Sequence, residues 1–305
     1  MVNVIIRYML IEHVSLIRPD WLKMKIPSGE NYVKVKKTIQ KYNLHTVCEE
    51  ASCPNVSECW DSGTATIMIM GDVCSRGCKF CDVNTGKPFE LDSEEPQHVA
   101  KAIRDWNLRY VVITSVCRDD LSDEGSEHFA KTIQCIKSEC PNTMVESLIP
   151  DFSGNEQFIE TIVKAKPHVI GHNLETVKRL SPSVRDARAN YKQSLNVLKY
   201  VKKLNSTIFT KSSLMLGLGE TEKEILQSAQ ELRDVNVDLI TLGQYMQPSS
   251  SHLPVKEFIH PEKFHQLKLD LKKLGFLHVE SGPFVRSSFR ASDAIELITK
   301  NNHKE

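Results

Sequence analysis

The sequence carries no net charge: 39 lysines and arginines stand against 39 aspartates and glutamates over 305 residues. A broad surface for nucleic acid or anionic lipid needs an excess of one sign, so this balance argues against both and suits a small neutral or apolar substrate. Long apolar runs are also missing. The opening stretch "MVNVIIRYMLIEHVSLIRPDWL" is broken by Arg7, Glu12, His13 and Arg18 before it could span a bilayer. It shows no secretory signal and lacks the Ser- and Arg-rich, acid-poor composition of a transit peptide, so it reads as a soluble extension of a cytoplasmic protein. Without a secretory context a disulfide framework is disfavoured, which leaves the cysteines for metal binding or catalysis. No GxGxxG follows the first candidate strand, and the usual reason to expect a dinucleotide fold goes with it.

What is present is an alternation. β-Branched apolar runs at 64–73, 110–116, 143–150, 167–175, 208–218 and 237–245 predict six strands. Between them lie amphipathic stretches such as "SEEPQHVAKAIRDW", "SEHFAKTIQCIKS", "YKQSLNVLKYVKKL" and "TEKEILQSAQELRDV", several opening on Ser or Thr with Glu close behind. Six βα units imply a parallel sheet, and the expected fold is α/β, a partial (β/α)6 TIM-like barrel. The length suits one large domain with extensions, divided here as 1–63, 64–273 and 274–305. Chemistry in such barrels sits at the C-terminal strand ends, where "CSRGCKFC", "CRDD", "HNLE", "GLGE" and "QYMQPSSSH" fall.

Six of the nine cysteines lie between residues 48 and 81. Cys74, Cys78 and Cys81 form Cys-x3-Cys-x2-Cys. A structural zinc site wants four ligands, commonly as two close pairs, and no fourth is near. A ferredoxin-type carrier uses Cys-x2-Cys-x2-Cys with every iron closed. Three thiolates on a cubane cluster leave one iron open to a bidentate small molecule. A zinc or noncatalytic iron-sulfur module remains the rival reading.

"CSRGCKFC", with Phe80 beside Cys81, resembles the CxxxCxxC signature of radical S-adenosylmethionine (SAM) enzymes. The second set, Cys48, Cys53 and Cys59 in "TVCEEASCPNVSECW", resembles the auxiliary-cluster motif of the lipoyl synthase family within that superfamily. The resemblance runs from about Arg18 to about Ala291 and includes "MVESLIPDFSG", "TKSSLMLGLGETEKE", "TLGQYMQPSSSHLPV" and "GFLHVESGPFVRSSFRA". It implies SAM and two 4Fe-4S clusters as cofactors. It further implies that the N- and C-terminal extensions carry the auxiliary cluster, with Ser288 of "VRSSF", rather than Ser287, as its fourth ligand. The implied reaction is insertion of two sulfurs, at C6 and C8, into a protein-bound octanoyl group. The implied partners are an octanoylated lipoyl carrier protein or domain, a low-potential donor such as ferredoxin or flavodoxin, and an iron-sulfur carrier that rebuilds the consumed cluster. Another radical SAM sulfur-inserting enzyme is the nearer alternative.

By the same resemblance Thr114, Ser115, Asn173, Glu175 and Arg185 surround SAM, although each could equally cap a strand. "GLGE" suggests a tight turn, Cys135 and Cys140 buried small hydrophobes, and His45 and His172 packing or hydrogen-bonding residues. The charged "VKVKK" at 33–37 reads as a solvated face. Cys117, Ser250 and Phe289 stand where the family usually has Asp, Arg and Tyr.

Overall fold

The computed structural model describes residues 18–23, 30–51, 53–61 and 65–288. Phe289 and Ala291 lie outside them, as do Met1 to Ile17. No helix among the described residues is long and apolar enough to cross a membrane.

Ten strands occur among the described residues: β1 (His45–Thr46), β2 (Thr66–Ile69), β3 (Val73–Cys74), β4 (Asn84–Thr85), β5 (Tyr110–Ser115), β6 (Met144–Leu148), β7 (Val169–Gly171), β8 (Phe209–Leu216), β9 (Leu239–Gln244) and β10 (His278–Gly282). The helices are α1 (Glu30–Tyr42), α2 (Val47–Glu50), α3 (Val56–Asp61), α4 (Glu95–Trp106), α5 (Ser126–Glu139), α6 (Glu156–Lys164), α7 (Ser181–Val184), α8 (Tyr191–Leu204), α9 (Glu222–Asp234) and α10 (Pro261–Lys273). One sheet runs β1-β2-β5-β6-β7-β8-β9-β10, with β1 antiparallel to β2 and every other neighbour parallel. It is open, with β1 and β10 at its edges. The expected partial barrel is therefore present, and five of the six apolar runs each hold a single strand.

Two features differ from expectation. The run 64–73 is not one strand: β2 ends at Ile69, Met70 and Gly71 take φ of 69° and 88°, and the chain then enters β3. A seventh parallel strand, β10, follows α10. Its charged residues disguise it in the sequence; Glu280 is satisfied by Lys268 of α10 at 3.1 Å.

Alternation along the strands builds the core. In β5, Val111 and Ile113 face the helices, packing with Val99, Ile103, Ile133 and Ile136, while Tyr110 and Val112 belong to a separate interior cluster. Each buried aliphatic side chain of this kind contributes roughly 1.5–3 kcal/mol. Inside the sheet, Lys211 Nζ lies 2.9 and 3.0 Å from the Glu146 carboxylate, which also accepts from Tyr110 Oη at 2.6 Å. Helix starts are set by short polar side chains. Thr221 and Glu224 form the reciprocal capping box of α9. At α5 the sequence cue misleads, because Asp123 Oδ2, not Ser126, accepts from the Glu127 N–H at 2.8 Å. The N-terminal residues Val35, Ile39, Leu44 and Trp60 share the same core as β2 and α4.

Candidate active site: two cysteine sets at one cavity

The first cysteine set begins on β3 and is pinned from the ends of three other strands. Ser75 N–H donates to Cys117 O at 3.0 Å, Lys79 N–H to Val184 O at 3.0 Å, and Leu253 N–H to Lys79 O at 3.1 Å. His252 Nε2 lies 3.0 Å from Cys81 O. The sulfurs also receive backbone N–H groups. Arg76 N and Cys117 N lie 3.4 and 3.3 Å from Cys74 Sγ, and Asp186 N lies 3.4 Å from Cys78 Sγ.

These contacts set the thiol acidities. A side-chain hydrogen bond from Cys117, helped by the Arg76 and Cys117 amides, brings Cys74 down to about 6. Burial, then the charges of Cys78 and Cys74, pushes Cys81 up to about 12. Burial also raises Cys78. Three sulfurs whose negative charges oppose one another, supplied with N–H dipoles, form a soft donor set that fits an iron-sulfur cluster.

Between the cysteines, the loop buries an ion pair that sequence reasoning missed. Arg76 is 5% exposed; its Nη2 lies 2.6 Å from Asp119 Oδ1 and its Nη1 2.7 Å from Asp151 Oδ1. Burial alone would raise both carboxyls, but the guanidinium outweighs it and both lie below their usual range. Asp186 accepts from Gly77 N–H at 2.9 Å and pairs with Arg188, whose Nη2 donates to Ser75 O at 2.8 Å. No local cue reveals these roles, apart from an arginine set inside a cysteine motif.

Cys74, Cys78 and Cys81 line a cavity of about 510 Å³, and so do all five residues expected around SAM. Thr114 donates to Leu148 O at 2.9 Å and so serves as a strand tie. The Ser115 hydroxyl is buried without a hydrogen-bond partner among the described residues. Glu175, at φ 66°, has its carboxyl raised by burial against the opposing pull of Arg185. Arg185 Nη1 donates to Ser194 Oγ at 2.7 Å, and His172 Nε2 lies 2.8 Å from the same hydroxyl. His172 is kept neutral, at about 4, first by burial and then by Arg185. It acts as a hydrogen-bonding residue, and His45 likewise contacts Glu50 at 3.2 Å.

The second cysteine set is built on short helices. Thr46 caps α2 by accepting from Glu49 N–H at 3.3 Å, which places Cys48 in the first turn. Cys53 N–H then returns to Cys48 O at 3.1 Å, and Cys59 N–H to Asn55 O at 2.9 Å. Burial, then the Cys53 charge, pushes Cys48 up to about 11, while burial raises Cys53 against the pull of Arg286. The C-terminal segment meets this set: Asn55 Nδ2 donates to Phe284 O at 2.5 Å. Its path requires Gly243, where a Cβ would stand 1.9 Å from Val285 O. Ser287 and Ser288 line the same cavity, beside Val47, Ala51 and Pro54.

Other candidates stay apart. Gly217 and Gly219, at φ 101° and 103°, serve a turn closed by Glu220, which accepts from Leu218 N–H at 3.0 Å, and neither lines the cavity. Cys140 is buried against Ala100 O at 3.7 Å, and Cys135 packs partly buried on the core. Ser250 sits in the exposed turn after β9.

Comparison with known proteins agrees with this geometry. The chain overlays methylornithine synthase with a TM-score of 0.53 at 13% identity, covering 84% of this chain and 79% of that one. It overlays the FeFe-hydrogenase maturase HydG from Carboxydothermus hydrogenoformans with a TM-score of 0.52 at 14% identity, covering 90% and 78%. These likenesses bear on the fold. The family model of the Radical SAM superfamily matches residues 68–232, which sets the class: a partial barrel of the radical SAM type.

A second model, the N-terminal domain of lipoyl synthase of the Radical SAM family, matches residues 9–53. Lipoyl synthase from Myxococcus xanthus is 52% identical over 276 residues, 90% of this chain and 93% of the relative. That from Thermus thermophilus is 52% identical over 281 residues, 92% and 87%. The mitochondrial lipoyl synthase of Schizosaccharomyces pombe is 53% identical over 281 residues, 90% and 76%. The chain belongs to the lipoyl synthase family. It is a radical SAM sulfur-inserting enzyme with SAM and 4Fe-4S clusters as cofactors.

Proposed function

We propose that Cys74, Cys78 and Cys81 hold the open-iron cluster, and that Cys48, Cys53, Cys59 and Ser288 hold the auxiliary cluster. What supports this is that the first cysteine set, the five expected SAM residues and both C-terminal serines border one cavity, with the second set packed at its edge. When bound, the clusters and SAM supply what no side chain can: a 5′-deoxyadenosyl radical that takes hydrogen from an unactivated C–H bond, and the sulfur that replaces it.

The chain's own residues then bind and orient. The amides of Arg76, Cys117 and Asp186 steady the sulfurs. The unpartnered Ser115 hydroxyl, the Asn173 amide, and the Glu175 and Arg185 charges take the polar groups of SAM, with Thr114 holding β5 and β6 in register. Met68, Val116, Leu148 and Met215 give the cavity an apolar wall suited to an octanoyl chain, and that chain reaches the cavity on a lipoyl carrier. A ferredoxin or flavodoxin supplies the electron, and an iron-sulfur carrier rebuilds the auxiliary cluster. The cytoplasm, where thiols stay reduced, is the compartment we assign. Residues 1–63 serve as one extension; β10 carries the barrel past the expected boundary at 273 to Gly282, and the other extension follows it.

Cys48→Ala tests the assignment. The variant should still cleave SAM to 5′-deoxyadenosine but leave octanoyl carrier unthiolated, and protein loaded with isotopically heavy sulfide should give a product with both sulfurs heavy. Ordinary sulfur in a single-turnover product would refute the sacrificial role, and parental thiolation by Cys48→Ala the ligand assignment.

A further inference from the structure

The turn from β2 into the first cysteine set is held in a backbone conformation that its sequence does not favour. Met70 has φ 69°, a region where an unbranched side chain is strained unless its surroundings fix it. Three groups fix it, one from the start of α4 and two from the loop between β5 and α5. The Glu95 carboxylate, 8% exposed at the start of α4, accepts the Met70 N–H at 3.1 and 2.9 Å. Arg118 Nη1 approaches Met70 O at 3.5 Å. Gly125 makes room for the side chain, since a Cβ there would lie 2.3 Å from Met70 Sδ. Glu95 is held in turn by His128, whose Nε2 lies 2.6 Å from Oε2.

We propose that Glu95 is a positioning residue for the radical-cluster loop: by accepting the Met70 N–H it holds the left-handed turn that sets where Cys74 enters the cavity. Glu95 does not line the cavity and acts through Met70 alone. Only Asp72 and Val73 separate the Met70–Gly71 turn from Cys74, so relaxation of Met70 to negative φ redirects β3 and the sulfur it carries. The inference rests on the proposed reading of Cys74, Cys78 and Cys81.

The test uses full chains of otherwise parental sequence reconstituted anaerobically, with readouts that report SAM at the radical cluster. The readouts are 5′-deoxyadenosine formed and the change in the reduced cluster's electron paramagnetic resonance (EPR) spectrum on adding SAM. Glu95→Leu keeps bulk but loses the acceptor, and should cut cleavage about tenfold or more and blunt the spectral change. Glu95→Gln keeps an acceptor oxygen and should stay within about twofold of the parent. Adding Met70→Gly to Glu95→Leu should restore cleavage to within about threefold, because glycine takes positive φ without help. Parental cleavage by Glu95→Leu, or a double variant no better than Glu95→Leu, overturns the proposal. Should Glu95→Leu fail to fold, Met70→Val strains the same turn with Glu95 intact, and parental cleavage there overturns it equally. Cys74→Ala separates the two readings: if it kept the cluster signal and cleavage, the ligand assignment would fall, whereas loss in Cys74→Ala with none in Glu95→Leu removes the brace alone.

Discussion

Replacing Arg76 with Met should cost the enzyme more stability than any other single change in the cysteine loop. The guanidinium is 5% exposed and bridges Asp151, 1% exposed, to Asp119. Its removal leaves two carboxylates facing each other, one with almost no access to water. Breaking a buried pair from one side costs about 3–5 kcal/mol, and the low exposure leaves little reason to discount that figure. The pH dependence has a definite sign. Both carboxyls lie below their usual range in the folded protein, so their stabilisation is fully present above the unfolded value, about 3.9, and is lost as pH falls through the folded values. Arg76→Met lacks that contribution at neutral pH. Its deficit should be largest there and narrow toward pH ~4, as Asp151 protonates, while Asp119 keeps Arg188 at 3.4 Å. Anaerobic urea unfolding of loaded parent and variant, at neutral pH and near pH ~5, measures both terms. Equal midpoints at neutral pH, or a gap that widens on acidification, would refute the reasoning. Arg76→Lys should recover only part of the loss, because one ammonium cannot match a fork that spans two carboxylates.

Gly243→Ala should disturb the auxiliary side selectively. Its Cβ would sit 1.9 Å from Val285 O, displacing the segment that carries Ser287 and Ser288. Sulfur insertion into octanoyl carrier should fall about tenfold or more while 5′-deoxyadenosine formation survives, and equal losses in both would show the effect to be general. Cys117→Ala should keep full iron and sulfide content, since Cys74, Cys78 and Cys81 already supply the three thiolates of the proposed open-iron site and leave Cys117 spare. Loss of a whole cluster on iron and sulfide analysis would make Cys117 a ligand.

The barrel was legible because parallel strands buried on both faces must be continuous runs of Val and Ile, as in "YVVITS" of β5. β10 was not, because His278 and Glu280 break its run and their partners come from α10 and from within the strand itself. The break at Met70 was hidden for the opposite reason: "TIMIMG" is continuous in hydrophobicity, and the positive φ comes from Glu95, 25 residues away. The cysteine sets stand out in the sequence, since spacing within one loop is a local property. Arg76 could not, because its meaning lies in Asp119 and Asp151, 43 and 75 residues downstream. Thr114 shows the limit of assigning a hydroxyl at a strand end: it ties two strands, whereas its neighbour Ser115 is the one left open.

The hydrogen bond from Asn55 to Phe284 joins groups 229 residues apart. During synthesis Cys48, Cys53 and Cys59 therefore leave the ribosome well before the segment that meets them. A nascent chain that has reached only α10 holds every segment that pins the first cysteine loop but lacks the Phe284 carbonyl that Asn55 meets beside the second set. Under the ligand assignment proposed above, the second site is complete only after the chain folds back across β9, where Val285 lies against Gly243.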